Sequence, residues 1–447
     1  MAKSSISGFP EFLPSEQIKL NCIRDIIRRH YERIGAVPLE TPAVERIETL
    51  TAKGGNEKEI YGLRRLHAEE GDDGKDLALR FDLTVPLARY VVQHAGSLNF
   101  PFRRYQMQPV WRGERPQAGR YRQFEQCDID VIGDGSLSLI NDAEMPVAID
   151  RIFTEMAIGR FMISVNNRKI LTGFLASIGL DTDASVSAAI KVVDNLEKVG
   201  PQVTNEQLRN LSVSDDAISR LLEFFSIELG TDEMLVFLRD NVANETMRLG
   251  VDELETVVGY MRMMKLPEDH FRVDPSIARG LDYYTGTVYE TRLLAHPGLG
   301  SICSGGRYDK LLRTLGADRD LPGVGISIGL TRLFPRLVDA GVLTVGPATI
   351  APVLVTAMEP NQLQRYLSYG ATLRDAGINT EIYTEPKKLG VQMKYANRKG
   401  FSIVIIAGEQ DFSTGTLIVR RLSDGEQAVV AESDLVTTVQ KMLGARQ

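Results

Sequence analysis

The sequence predicts a mixed α/β protein: an antiparallel sheet with flanking helices, split by a helical insertion and followed by a separate α/β unit. Three observations predict it. Residues 104–132 alternate with a period of two along two arms, the period of a strand, and Arg115-Pro-Gln-Ala-Gly119 between the arms reads as a hairpin loop. From about 169 to 265 the texture changes to successive glycine-marked helical stretches with little strand signal. After a Gly- and Pro-marked linker at 336–350, apolar strands alternate with helices, as in a sheet covered on both faces. The expected boundaries are 1–345 for the first unit, with 169–265 inserted into it, and 350–447 for the second.

A chain of 447 residues is long enough for two or three cores. Its net charge of −7 gives no global attraction to nucleic acid, so such a partner needs local basic patches. Cys22, Cys127 and Cys303 are widely scattered, which suggests neither a disulfide framework nor a zinc site and fits a reducing compartment. The opening MAKSSISGFPEFLP has no apolar signal core, and no later run is long enough to span a bilayer. The expectation is a soluble cytoplasmic protein without membrane contact.

In order along the chain, 15–34 reads as an amphipathic helix with Ile18, Cys22, Ile26 and Ile27 on one stripe and Ser15 as a cap. Val37 to Pro42 follows as an extended segment, because residues before proline avoid the helical region. At 77–90, Asp82 and Thr84 lie two apart and share a face if the segment is extended; a carboxylate and a hydroxyl there can accept from an ammonium group. The same pair also suits a turn cap. In the hairpin, Arg104, Gln106, Gln108, Val110, Arg112 and Glu114 share one face of the first arm. Arg120, Arg122, Phe124, Gln126, Asp128 and Asp130 share one face of the second. An alternating antiparallel pair commonly has just such a face in water. Here it combines cations for a phosphate, a flat ring for a purine and carboxylates for a cationic or imidazole group. Residues 138–158 read as a helix and FMISVNNR as a strand; the sheet resumes at 271–290. Paired glycines in Cys303-Ser-Gly-Gly-Arg-Tyr-Asp309 mark close approach of a ligand. In the last unit a helix carries Lys387, Lys388, Lys394, Arg398 and Lys399.

Arg112-Gly-Glu114, a short loop and Arg120-Tyr-Arg-Gln-Phe124 resemble motif 2 of the class II aminoacyl-tRNA synthetases, and Gln126-Cys-Asp-Ile-Asp130 is similar to the histidyl-tRNA synthetase version. The first helix and its proline-bearing strand resemble motif 1, which in that family builds a dimer interface. Asp82-Leu-Thr84 resembles the segment that holds the amino group of histidine. Arg279-Gly-Leu-Asp-Tyr-Tyr-Thr-Gly286 resembles the histidine-specific signature, and Cys303 to Asp309 the glycine-rich floor of the amino-acid pocket. Gly323 to Arg332 resembles motif 3, with Thr331 where many members carry glutamate. The C-terminal unit resembles the family's anticodon-binding domain.

The resemblance implies that L-histidine and ATP form histidyl-adenylate, and that histidine then passes to tRNA(His), in a homodimer. It implies Arg112 and Arg279 as catalytic cations that also face histidine. It assigns Glu114, Phe124 and Arg332, with Arg112, to ATP. Asp82, Thr84 and Gln126 are implied for the ammonium group with Tyr283 nearby, and Asp130 and Tyr284 for the imidazole nitrogens. Mg²⁺ is expected mainly on ATP phosphates, with no protein metal site. His30, His67, His94, His270 and His296 fall outside these motifs, so none is expected as a general base. The alternative is a non-catalytic paralogue, the regulatory subunit of ATP phosphoribosyltransferase, which generally lacks the C-terminal unit.

Overall fold

The computed structural model describes residues 5–52, 57–67, 76–115, 119–194, 196–277 and 283–444. The chain divides into two compact units, residues 1–10 with 24–343 and residues 11–23 with 344–447. Among the described residues no helix is long and apolar enough to cross a membrane.

The chain opens with α1 (Pro14–Arg33). Its buried stripe is Leu20, Ile23, Ile27 and Tyr31, whereas Cys22 is exposed and Ile26 half-buried. Of the expected stripe Ile27 is buried, while at Cys22 and Ile26 it is one position out of phase, neighbouring residues on a helix lying about 100° apart. Next come β1 (Val37–Pro38), β2 (Val44–Arg46), α2 (Ile47–Thr51), β3 (Leu77–Leu79), α3 (Thr84–His94), β4 (Phe102–Trp111) and β5 (Gln123–Ile132). They are followed by α4 (Ile140–Met156) and β6 (Phe161–Asn167).

Six helices then run without an intervening strand among the described residues: α5 (Arg168–Ser177), α6 (Asp183–Asp194), α7 (Leu196–Asn210), α8 (Asp215–Phe225), α9 (Thr231–Asp240) and α10 (Glu245–Met263). Several start on side-chain caps: Asn167 accepts from the Lys169 amide, Ser214 from Ala217 and Asn244 from Met247. Leu171, Leu175, Ile190, Leu208, Ile218 and Leu221 share a core within this segment. The sheet resumes with β7 (Phe271–Val273), β8 (Thr287–Leu293), β9 (Ser301–Tyr308), α11 (Leu311–Thr314), β10 (Gly323–Ile328) and α12 (Leu330–Asp339). Helix α12 covers the first part of the expected 336–350 linker.

The main sheet has the order β1-β4-β5-β10-β9-β8-β6-β7. Only its edge pairs, β1 with β4 and β6 with β7, are parallel. In the β4–β5 hairpin Arg104 faces Asp130, Gln106 faces Asp128, Gln108 faces Gln126 and Val110 faces Phe124. Directly opposed residues project to the same side, so the two polar stripes form one surface across β4 and β5.

The second unit holds β11 (Val353–Val355), α13 (Leu363–Asp375), β12 (Thr380–Ile382), α14 (Leu389–Lys399), β13 (Ile403–Ile406), α15 (Glu409–Thr414), β14 (Thr416–Arg421), β15 (Gln427–Ala431) and α16 (Leu435–Gly444). Its sheet order is β12-β11-β13-β14-β15, with the first three strands parallel. Both faces are covered. Val353 and Val355 pack with Tyr366 and Leu373 on one side, while Leu354 packs with Ala396 and Phe401 on the other. The edge strand β15 was not expected; it alternates half-buried and exposed residues, with Val429 in solvent, and lacks the apolar run of its neighbours.

Candidate active site

A cavity of about 660 Å³ lies over β5, β10 and β9 in the first unit. Asp82, Thr84, Arg112, Glu114, Phe124, Gln126, Asp130, Tyr283, Tyr284 and Arg332 all line it. Arg279 lies outside the described residues. No histidine lines the cavity: His30 bonds to Glu155 at 2.7 Å, His270 to Asp150 at 2.6 Å, and His94 packs on Tyr90. Among the described residues no cluster of three or more His, Cys, Asp or Glu could hold a metal ion.

Part of the lining is cationic. Arg112 follows β4 and donates from Nε to the Phe81 carbonyl at 2.9 Å. Its guanidinium lies 5.2 Å from the Phe124 ring centre, and that of Arg332, from the first turn of α12, lies 3.6 Å from it. Phe124 therefore carries a guanidinium stacked directly on its face, so a purine entering between Phe124 and Arg332 must part them. Arg332 also donates to the Tyr121 carbonyl at 3.1 Å and reaches Glu114 at 3.4 Å, while its buried Nε has no hydrogen-bond partner. Burial, with Arg112 close by, pulls the Arg332 guanidinium down to about 10, so it is charged at neutral pH. Burial pushes the Glu114 carboxyl up, but its bond to Arg120 and the nearby Arg332 and Arg112 charges outweigh that and hold it below the usual carboxylate range.

Another part of the lining is rich in acceptors. Asp82 Oδ1 accepts from the Val85 amide at 3.1 Å, so Asp82 caps the start of α3, where Thr84 is the first residue. The extended segment expected there is a strand-to-helix junction, and the capping geometry brings both side chains to the cavity. Tyr283 and Tyr284 likewise precede β8 and do not lie in a strand. Their rings meet edge to face at 4.8 Å. Gly306 makes room for Tyr284: a Cβ there would come within 2.9 Å of its ring. Burial pushes the Asp82 carboxyl up to about 6, against the Val85 amide and the Arg112 charge.

Thr331, Arg104 and Tyr308 bear on the site without having been assigned to it from the sequence, as does Asp128 in the lining. Thr331, buried at the start of α12, accepts from the Glu125 amide at 2.9 Å and so ties that helix to β5 beside Phe124. Arg104, fully buried, pairs with Asp130 at 2.7 Å, and the Tyr308 hydroxyl donates to Asp130 at 2.6 Å. The strand alternation placed Arg104 and Asp130 on one face, but the Tyr308 contact joins residues 178 apart and leaves no local signal.

The family profile described as Histidyl-tRNA synthetase matches residues 8–333, and one described as Anticodon binding domain matches 350–442. The histidine–tRNA ligase of Nostoc sp. is 44% identical over 454 residues, covering 98% of each chain. That of Clostridium tetani is 41% identical, again over 98% of each. The crystal structure of the Nostoc histidyl-tRNA synthetase superposes with a TM-score of 0.88 at 43% identity, covering 99% of both chains. A Bacillus halodurans chain titled as an ATP phosphoribosyltransferase regulatory subunit/histidyl-tRNA synthetase shares the fold, with a TM-score of 0.72 at 19% identity over 88% of this chain and 97% of its own.

Proposed function

The chain belongs to the histidyl-tRNA synthetase family, and on that premise we propose that its cavity activates L-histidine with ATP and passes the histidyl group to tRNA(His). One observation carries the reading: unpartnered acceptors and fixed guanidinium groups line one cavity. Among the described residues Asp82 Oδ2 and Gln126 Oε1 are buried without partners there, and Arg112 and Arg332 line the same cavity. A molecule with an ammonium group, joined at its carboxylate to a phosphate, fits that polarity.

In the first step a carboxylate oxygen of histidine attacks the α-phosphorus of ATP. The new P–O bond forms as the bond to the bridging oxygen breaks, and pyrophosphate leaves. The protein supplies position and charge here, not a nucleophile. Arg112 holds the α-phosphate, with Arg279 as a second cation. Asp82, Thr84 and Gln126 hold the ammonium group, with Tyr283 beside them, while Asp130 and Tyr284 close the ring end. Mg²⁺ would be held mainly by ATP oxygens and water, and would supply positive charge at the outer phosphates. In the second step a terminal ribose hydroxyl of tRNA attacks the acyl carbon and AMP leaves. The test is aminoacylation: the purified protein charges tRNA(His) with labelled histidine, and failure to do so with active ATP–pyrophosphate exchange would remove the second step.

Phe124 and Arg332 are proposed to hold adenine between them, with Glu114 at its edge. Arg332→Leu should raise the KM for ATP roughly tenfold or more, the scale of a desolvated cation–π contact, with the KM for histidine little changed. Equal rises in both would make Arg332 a structural residue.

Residues 350–447 are proposed as the tRNA-binding unit, residues 1–345 as the catalytic domain and 169–265 as an inserted domain near the acceptor arm. We place the protein in the cytoplasm as a homodimer built through α1 and β1. On α14, Lys399 is tied to Glu381 at 2.7 Å, and just before it Lys387 is tied to Glu385 at 2.5 Å. Lys388, Lys394 and Arg398 are exposed and form no ion pair among the described residues. Replacing those three by alanine should weaken tRNA binding and flatten its salt dependence, since each lost phosphate contact removes roughly one released counterion. An unchanged salt slope would place the tRNA elsewhere. The regulatory-subunit alternative is disfavoured by the retained Arg112 and Arg332 and by the anticodon-domain match.

A further inference from the structure

We infer that Asp128 is the carboxylate that accepts an imidazole N–H of the bound histidine, and that Asp130 acts behind it as a positioning residue. This rests on the histidine-activating reading above.

Along β5 the cavity face carries Phe124, Gln126, Asp128 and Asp130, each about 6.6 Å beyond the last. Phe124 lies against the Arg112 and Arg332 guanidinium groups, so a ligand lying along the strand from there meets Gln126, then Asp128, then Asp130. Gln126 gives its amide nitrogen to Ser327 Oγ at 2.6 Å and leaves Oε1 unpartnered. With Asp82 Oδ2 this makes two orphaned acceptors, enough to begin holding an ammonium group. One strand step deeper, Asp128 is 2% exposed and its Oδ1 also has no partner. The opposing residue cannot supply one: Gln106 commits its amide nitrogen to Thr41 at 2.9 Å and Gln108 at 2.6 Å. Native structures rarely bury an acceptor without a donor. The missing donor fits an N–H on the ligand, beyond its ammonium group.

Asp130 is differently placed. Each of its oxygens already has a partner, Arg104 at 2.7 Å on Oδ2 and the Tyr308 hydroxyl at 2.6 Å on Oδ1. Its carboxylate lies flat against Gly325, where a Cβ would come within 2.1 Å of Oδ1. Asp130 is thus clamped into the wall, and its charge is matched by Arg104. Tyr284, also in the lining, is left for the second ring nitrogen.

The electrostatics suit an imidazole. Burial pushes the Asp128 carboxyl up to about 7; Arg104 pulls it down, Asp130 and Asp82 push it further up, and the Ser327 hydroxyl pulls it down. Tyr31, Tyr284 and Cys303 also face it. An imidazole titrates near 6.5. The pair therefore holds one proton across the neutral range, as carboxylate with imidazolium or as acid with neutral ring, and keeps its hydrogen bond in both forms. A side chain with no N–H leaves Asp128 unpaired, which is how a polar site rejects a wrong substrate.

The experiment is ATP–pyrophosphate exchange with wild type, Asp128→Ala and Asp128→Asn. Wild type exchanges with histidine. Asp128→Ala should raise the KM for histidine roughly 10- to 100-fold, the effect of leaving one buried hydrogen bond unmade, with the KM for ATP within about twofold. It should also weaken inhibition by imidazolepropionate, which has the ring but no ammonium group, by a similar factor. Stability supplies a second reading. A carboxyl raised from about 3.9 to about 7 on folding stabilises the fold below its unfolded value, and that contribution is lost as pH rises through 7. Asp128→Asn should therefore raise the thermal midpoint at pH 8 relative to its effect at pH 4. Asp130→Asn, which leaves Arg104 buried opposite an amide, should lower the midpoint. A histidine KM within twofold of wild type in Asp128→Ala overturns the assignment. So does unchanged inhibition by imidazolepropionate with a raised histidine KM, because Asp128 would then face the ammonium group. No histidine-dependent exchange in wild type would overturn the activity reading itself, and this proposal with it.

Discussion

Arg112→Ala is expected to depress histidine-dependent ATP–pyrophosphate exchange about 100- to 1,000-fold, or about 2.7–4 kcal/mol, the effect of removing one preorganised charge-stabilising donor. The expectation comes from how the side chain is held. Its Nε is committed to the Phe81 carbonyl at 2.9 Å, which fixes the guanidinium plane and leaves the two terminal nitrogens as donors in the cavity. A cation fixed before the reaction needs no reorganisation as charge shifts on the α-phosphate. Losing the bond to Phe81 alone would account for only about 1 kcal/mol. The loss should fall mainly on kcat, with the fold retained. Near-normal exchange in a folded variant would take the α-phosphate away from Arg112.

Asp142→Ala is expected to destabilise the first unit by about 3 kcal/mol, because it leaves the buried Arg307 guanidinium with only Asp309, 3.5 Å away and partly exposed, as counter-charge. Arg307, in the glycine-bearing strand β9, donates from Nε to Asp142 Oδ1 at 3.0 Å and from Nη2 to Oδ2 at 2.5 Å. The side chains are 7% and 0% exposed. The pair ties the start of α4 to the strand that carries the cavity floor, and Tyr289 adds a bond to the Asp142 carbonyl at 2.7 Å. The only tryptophan, Trp111 on β4, gives a fluorescence signal from this unit. The urea midpoint followed by that signal should fall sharply. Asp142→Leu combined with Arg307→Leu should recover much of the loss, since an apolar pair buries no charge. An unchanged midpoint in Asp142→Ala would mean that water reaches Arg307.

The β4–β5 hairpin was legible because polar and apolar residues alternate along both arms and antiparallel pairing preserves the alternation: Arg104, Gln106 and Gln108 meet Asp130, Asp128 and Gln126 in register. The six-helix segment and the βα pattern of the second unit were legible because period and burial agree. Where they disagree, the reading slipped. Asp82 and Thr84 sit at a strand-to-helix junction too short to show a period. Strand β15 is half in solvent and lacks the apolar run that marks its neighbours. The polar cavity residues were recognised by type and motif, but what each oxygen does was not. Asp128 and Asp130 share a strand face and a residue type. They differ through Arg104, Tyr308 and Gly325, which reach them from other strands. That difference is tertiary, and only the assembled sheet reveals it.

The central claim, that this cavity joins histidine to ATP, is tested most directly by ATP–pyrophosphate exchange measured with each of the twenty amino acids in turn. The account predicts exchange with histidine and at most trace exchange with any other. Exchange that does not depend on histidine, or is equally fast with an amino acid lacking a ring N–H, would contradict it.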